Sequence, residues 1–195
     1  MGEQSDDLTR IQLREAGPMR ALAHPVRLRI LGMLRVDGPA TVGMLAERTG
    51  EAAGSVSYHV STLAKHGFVE PAPELARDRR ERWWRAAHEV TSWRTEEFLD
   101  DPERHAASDA MRRAVLEAYH RELLGALEAE PSLEPEWVAA SDSSDGGAHL
   151  TLDEFRELSA ELEALREKWW GYGRTPRPGT RPVRWITHVF PRSAR

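Results

Sequence analysis

The sequence predicts a mainly α-helical chain with one small β-hairpin and a second, mostly helical lobe. Three observations predict this fold class. Apolar residues recur at helical spacing in three segments between residues 25 and 66, and the connectors are only a few residues long. Two short extended segments with a basic loop between them follow directly, at residues 68–86. Beyond residue 90 the pattern is helical again and strongly acidic.

Length and composition limit the classes to which the chain can belong. Its 195 residues leave room for one ordinary domain plus a smaller lobe, and 40% hydrophobic residues suffice to bury a core. No apolar run approaches the roughly 18 residues that span a bilayer, and the first residues lack a signal-peptide pattern. The absence of Cys excludes disulfides and thiolate metal sites. We therefore expect a cytoplasmic protein without a membrane partner.

The net charge of −5 is unevenly distributed along the chain. Residues 19–85 hold 11 basic residues against 7 acidic ones, whereas residues 101–167 hold 6 against 17. Residues 168–195 hold 7 basic residues and no acidic ones. Because salt screens charges over about 10 Å, the field of one local face decides whether a polyanion binds. The distribution therefore permits a nucleic-acid partner for residues 19–85.

The first two predicted helices precede residue 40. Residues 8–16 have an amphipathic pattern that predicts a short helix, ended by Gly17 and Pro18. A longer helix begins at Pro25, because a residue without an N–H suits the first helical position. The turn-forming run Asp37, Gly38 and Pro39 ends it. Its apolar face consists of Val26, Ile30 and Leu34.

Two further helices and a tight turn follow. Thr41 can cap a helix over Val42–Arg48, and Gly50 allows the chain to turn sharply after it. A third helix is predicted over Ala53–His66, with Gly67 as its left-handed cap. The side chains of this helix that face inward are Val56, Val60 and Leu63.

A basic hairpin is predicted after the third helix. Phe68–Pro71 and Trp83–Ala86 are interpreted as its two strands, and we call the hairpin the wing. A mobile basic loop of this kind can reach a DNA backbone or a minor groove, although a solvated charge run is the alternative interpretation. The basic residues of the loop are Arg77, Arg79, Arg80 and Arg82.

The outer face of the third helix carries the groups that a DNA-reading helix needs. In a helix–turn–helix pair one helix braces against the phosphate backbone and the next enters the major groove. Short hydroxyl side chains there can donate or accept at bases and phosphates, whereas His59, near the edge of the face, contacts phosphate or packs. A chance pair of short helices is the alternative. The candidate DNA-binding residues of this helix are Gly54, Ser55, Ser57, Tyr58, His59 and Thr62.

Four runs of residues between 23 and 69 resemble a known family. The runs AHPVRLRIL at 23–31, LAERTG at 45–50, SVSYHVSTL at 55–63 and GFV at 67–69 are together similar to the ArsR-like winged helix-turn-helix transcriptional regulators of bacteria. The resemblance covers about residues 19–90, and the chain looks like a larger member with a C-terminal helical extension. It implies a homodimeric repressor on a palindromic operator. It also implies that Gly54, Ser57 and Tyr58 read bases and that the Arg-rich hairpin is the wing.

The sequence departs from the metal-sensing members of that family. Such sensors use Cys on the recognition helix or paired Asp and His on the last helix, and this chain has no Cys. His105 and His120 do not fall at the required spacing, and none of the eight His forms an i, i+4 pair. We therefore predict no metal and no cofactor. The chain also lacks a phosphate-binding Gly-rich loop, a GxSxG motif and a nucleophile–base set, so we predict no enzymatic activity.

The C-terminal half predicts two longer helices. One spans Asp109–Ala129 with Ser108 as its cap, a flexible linker occupies 131–150, and Val183–Phe190 has the composition of a strand. A capping box at 151–154 opens the last helix. Its apolar residues alternate at three- and four-residue steps, the pattern of a coiled-coil contact; we call them the seam, and they are Phe155, Leu158, Leu162, Leu165 and Trp169.

The predicted organisation is an N-terminal arm or helix at 1–18, a winged helix-turn-helix DNA-binding domain at 19–90 and a helical dimerisation or effector lobe at 91–195. The seam is interpreted as a dimer contact, with packing on residues 111–127 of the same chain as the alternative. The aromatic residues of this lobe favour core packing, or else a pocket for an unidentified small-molecule effector. The predicted function is a regulator that binds double-stranded DNA as a homodimer. The alternative is a winged-helix protein–protein interaction module without DNA binding.

Overall fold

The computed structural model describes residues 9–78, 81–173 and 177–192. The chain divides into two compact units, of which one is Asp7–Leu127 and the other includes Glu128–Arg195. This division falls later than the boundary predicted at residue 90. The reason is that the stretch after residue 90 contributes a strand and half of a long helix to the first core, with Phe98 and Met111 fully buried.

Helices dominate the described chain, and an antiparallel hairpin follows the fourth of them, which confirms the predicted fold class. In chain order the elements are β1 (Arg10–Leu13), α1 (Ala16–Leu22), α2 (Pro25–Val36), β2 (Ala40–Thr41), α3 (Val42–Thr49), α4 (Ala53–Lys65), β3 (Val69–Pro71), β4 (Trp83–Ala86), β5 (Val90–Trp93), α5 (Pro102–Ala129), α6 (Pro135–Ala139) and α7 (Leu152–Gly173).

The predicted helix over 8–16 is wrong. Arg10–Leu13 is a strand that pairs in parallel with β5, so that Leu13 lies opposite Trp93. Leu13 is buried in the core, and the side chain of Ile11 packs against the same core. The backbone hydrogen bonds of a distant partner strand and the burial of alternate side chains therefore override a local pattern that suits a short helix. The helix α1 begins only at Ala16.

The three central helices form as the sequence predicts, to within a residue at their ends. Pro25 occupies the first turn of α2, and Nδ1 of His24 accepts the N–H of Val26 at 3.2 Å, which caps that helix. The Thr41 hydroxyl accepts the N–H of Met44 at 3.3 Å at the start of α3. The inward residues predicted for α4 are all essentially inaccessible to solvent; they are Val56, Val60 and Leu63.

The wing strands β3 and β4 belong to a three-stranded antiparallel sheet in the order β2–β4–β3. Val69 of β3 lies opposite Ala86 of β4, which confirms the predicted hairpin, and Ala40 of β2 adds a short third strand opposite Trp84. The wing packs on the central helices through the buried side chains of Phe68 and Val69.

The helix α5 begins at Pro102, seven residues before the predicted start at Asp109. Ser108 is therefore not its cap; it lies inside the helix and is 1% exposed. The cap is Asp101, whose Oδ1 accepts the N–H of Glu103 and of Arg104, both at 3.0 Å. A carboxylate at this place also suits the positive end of the helix dipole.

In the second unit, the predicted capping box of α7 is confirmed. Oε2 of Glu154 accepts the N–H of Thr151 at 2.7 Å, and the Thr151 hydroxyl accepts the N–H of Glu154 at 3.3 Å. The segment Val183–Phe190 forms no strand, because it has no partner strand among the described residues. Within the predicted linker 131–150, α6 is helical, whereas residues 141–150 have no regular structure.

Candidate nucleic-acid interface

The helix α4 has two chemically different faces. One face is the core face of Val56, Val60 and Leu63, which are at most 1% exposed. The other face is exposed and polar, and Tyr58 at its centre is 66% exposed. Gly54 is exposed near the start of the helix, and no atom would lie within 4 Å of a Cβ added there. This start of α4 can therefore approach a flat surface such as the edge of a base pair.

The structure brings five of the six predicted reading residues of α4 to the exposed side of the helix. Gly54, Ser57 and Tyr58 are exposed, and Ser55 and Thr62 are half-buried. The Thr62 hydroxyl donates to the backbone carbonyl of Tyr58 at 2.9 Å, but its oxygen keeps capacity to accept.

His59 is not part of this exposed face. It is 7% exposed, and its ring lies 4.6 Å from the ring of His24. Burial, and after it the nearby charge of Arg27, lowers the pKa of His59 below its usual value. The same two causes lower the pKa of His24. The structure therefore gives His59 a packing role between α4 and the start of α2.

Sequence reasoning missed two residues of the same face. Ser61 and Lys65 are exposed and follow Ser57 at steps of four residues, so the helical period that placed Ser57 also places them. Lys65 adds a positive charge in the last turn of α4. Extending the four-residue spacing from Ser57 would have found both residues.

The turn before α4 is held by a set of local bonds. Gly50 adopts a φ of 74°, the left-handed conformation that glycine accepts without strain. The buried Thr49 hydroxyl donates to the Leu45 carbonyl at 2.6 Å and accepts the N–H of Glu51 at 3.4 Å. These contacts fix the angle at which α4 leaves α3.

The wing loop is only partly described. Arg79 and Arg80 lie outside the described residues, whereas Arg77 and Arg82 are exposed. A carboxylate oxygen of Glu81 accepts the N–H of Arg77 at 2.9 Å.

Arg85 of the wing forms ion pairs with two carboxylates of the same domain. Nε of Arg85 lies 2.7 Å from Glu70, and Nη1 lies 2.5 Å from Glu74. Both carboxylates raise the pKa of Arg85. Of the described wing arginines, Arg77 and Arg82 are thus better placed than Arg85 to meet a phosphate.

No group of three metal-ligating side chains that could hold an ion occurs within residues 9–78, 81–173 and 177–192. Within the same ranges, no helix has the length and apolar composition needed to cross a membrane.

Comparison with known proteins agrees with this geometry. Residues 22–72 match a family model described as a helix-turn-helix domain, which agrees with the helix-turn-helix that the sequence predicts there. No curated protein matches the chain. A similar solved structure is a double mutant of ZitR from Lactococcus lactis in its apo form, with 17% identity and a TM-score of 0.33. The match covers 75% of this chain and 83% of that one. A similarity of this size identifies neither a ligand nor a partner.

Proposed function

We propose that the chain, whose residues 22–72 match a helix-turn-helix domain, is a sequence-specific transcriptional regulator of the ArsR-like type. In this proposal α4 is the recognition helix in the major groove, and α3 braces it against the phosphate backbone. The wing arginines Arg79, Arg80 and Arg82 contribute affinity that does not depend on sequence. The protein is a cytoplasmic, non-enzymatic repressor.

One observation carries the proposal. One side of the recognition helix is packed in the core, and the opposite side is exposed and polar. No acidic residue occurs anywhere in Ala53–Lys65. A groove lined by phosphates repels carboxylates, and it accepts hydroxyl groups and cations. A protein-binding surface of the same size has no reason to exclude acidic side chains.

The proposed assembly is a homodimer. Among the described residues of α7 none is buried, and the seam residues Leu165 and Trp169 are 53% and 49% exposed. An apolar stripe of this width costs free energy in water, and a second copy of the chain can cover it. A two-fold dimer would present two recognition helices about 34 Å apart, which corresponds to a palindromic operator.

The proposal is tested first at the recognition helix. A preferred duplex is selected from random DNA with the full-length protein, and the double variant Ser57→Ala with Tyr58→Ala is compared with the unchanged chain. Removing one side chain that reads a base should weaken binding by roughly 1–3 kcal/mol and relax the preference at one base pair. Ser144→Ala, at an exposed serine of the other unit, is the matched control and should bind normally. Unchanged affinity and preference in the double variant would show that α4 does not read DNA.

A further inference from the structure

The helix α2 carries three arginines, and each of them makes two hydrogen bonds to a different element. Arg27 donates to the carbonyls of Arg20 and Ala21 at the end of α1. The other two support parts of the domain that adjoin DNA in the proposed function. Arg29 reaches the end of α3, and Arg35 reaches the segment that follows the wing.

Arg29 holds the end of the bracing helix. Its Nη2 donates to the carbonyl of Arg48 at 2.7 Å and its Nη1 donates to the carbonyl of Thr49 at 2.9 Å. The last carbonyls of a helix have no partner within the helix, so a guanidinium that donates to two of them fixes both. The next residue is Gly50, where the chain turns toward the recognition helix. The direction of α4 thus depends on a point that Arg29 holds.

Arg35 makes a similar two-point contact with the chain that follows the wing. Its Nε donates to the carbonyl of His88 at 2.9 Å, and its Nη2 donates to the Thr91 hydroxyl at 2.7 Å. His88 follows β4 by two residues, and Thr91 lies in β5. The strand that returns from the wing tip is therefore tied to α2 just beyond its end.

We propose that Arg29 and Arg35 are positioning residues for DNA binding, Arg29 for the recognition helix and Arg35 for the wing. This inference rests on the proposed function. It states that two different arginines of α2 position the two DNA-contacting elements, the recognition helix and the wing. A base-reading side chain must lie within about 0.5 Å of its productive position, whereas a phosphate contact from a loop tolerates more freedom. Loss of Arg29 should therefore change sequence preference, and loss of Arg35 should change salt dependence.

The test uses substitutions that keep the positive charge. Lys is a flexible point charge and cannot reproduce the planar two-point donation of Arg. In Arg29→Lys we expect the ratio of affinities for the selected duplex and a one-base variant to fall roughly tenfold, since a good base contact discriminates by about that factor or more. In Arg35→Lys we expect that ratio to stay constant, while the slope of log affinity against log salt flattens by about 0.9 for each phosphate that the wing no longer neutralises.

Three comparisons keep the result interpretable. Arg112→Lys is the matched control, because Arg112 lies on α5 and pairs there with Asp109 at 3.7 Å; it should change neither quantity. All measurements are made at a temperature where melting curves show each variant to be fully folded. Arg29→Gln, which keeps a single short donor, replaces Arg29→Lys if the latter melts too low, and the same loss of preference is expected.

The outcomes separate the inference from the proposed function. If the wild-type protein binds no duplex, both the proposed function and this inference are overturned. An unchanged chain that binds selectively, together with an Arg29→Lys protein that keeps its full preference, overturns the role of Arg29 alone. If both lysine variants instead lose affinity equally for all duplexes, with the salt slope and preference intact, the two arginines serve stability and do not position the DNA contacts.

Discussion

The two compact units differ most in what they bury. In the first unit, side chains from five helices and from the strands meet in one core that includes Leu45, Phe68 and Phe98. In the second unit, no described residue is buried, although α7 carries a regular apolar seam. The difference shows that the first unit has a core of its own, whereas α7 of the second unit buries none of its described residues. If a second copy of the chain covers the seam, as proposed, the stability of that unit will depend on protein concentration.

The largest expected effect is in the first core. Phe68→Ala removes a fully buried ring between α4 and the wing, and should lower the free energy of unfolding by about 3–5 kcal/mol. Urea unfolding followed by circular dichroism measures this change. Leu99→Ala, at a position that is 63% exposed in the same unit, is the comparison and should change stability by no more than about 0.5 kcal/mol. Equal effects at the two positions would contradict the assigned core.

The seam should control assembly and leave the first unit folded. Leu162→Glu together with Leu165→Glu places carboxylates in the apolar stripe of α7, and light scattering should then give the mass of a monomer. Binding to the selected duplex should weaken about a hundredfold, because two linked contacts with DNA become one. Glu161→Gln with Glu163→Gln, at exposed positions of the same helix, is the control and should remain dimeric. A double Glu variant that stays dimeric would place the interface elsewhere, with residues 8–34 as the next candidate.

A smaller effect is expected from His24 and His59 of the first unit, whose rings pack against each other. Because burial and the charge of Arg27 lower the pKa values of His24 and His59 in the folded chain, the unfolded chain binds protons more readily. The stability that these groups contribute is therefore complete above the ordinary histidine pKa of about 6.5 and is lost as the pH falls below it. Protonation of His24 at Nδ1 would also remove the cap of α2.

The pH dependence is checked by urea unfolding between pH 5 and pH 8. The unchanged chain should lose stability below about pH 6.5, and His59→Gln should make this loss less steep, because Gln does not titrate. His120→Gln, at an exposed position of α5, should leave the profile unchanged. If His59→Gln and the unchanged chain have parallel profiles, protonation of His59 is not coupled to folding.

The elements that the sequence predicts well are those that local chemistry determines. Pro25, Thr41, Gly50 and Gly67 each act within one turn of the chain, so the ends of α2, α3 and α4 follow from neighbouring residues. The capping box of α7 is predictable for the same reason. The exposed polar face of α4 then follows from its period, and Ser61 and Lys65 would have followed as well.

The features that the sequence does not predict depend on residues far apart in the chain. The strand β1 exists because β5 lies beside it, about 80 residues later. His59 is buried because His24 packs on it, which no spacing within α4 indicates. The two hydrogen bonds of Arg29 span 19 and 20 residues. A sequence pattern predicts which side of a helix or strand is exposed. Tertiary packing decides which polar side chains on that side are instead buried or hydrogen-bonded to a neighbouring element.

The central claim is that this chain recognises duplex DNA by sequence, and one binding measurement tests it most directly. The affinity of the full-length protein is measured for its selected duplex and for a scrambled duplex of the same composition, over a range of salt concentrations. We expect both affinities to fall steeply as salt rises, and the selected duplex to be preferred by about a thousandfold or more at physiological salt. Absence of duplex binding at low salt, or equal affinity for the two duplexes at every salt concentration, would contradict the claim and favour a protein-binding role for the winged domain.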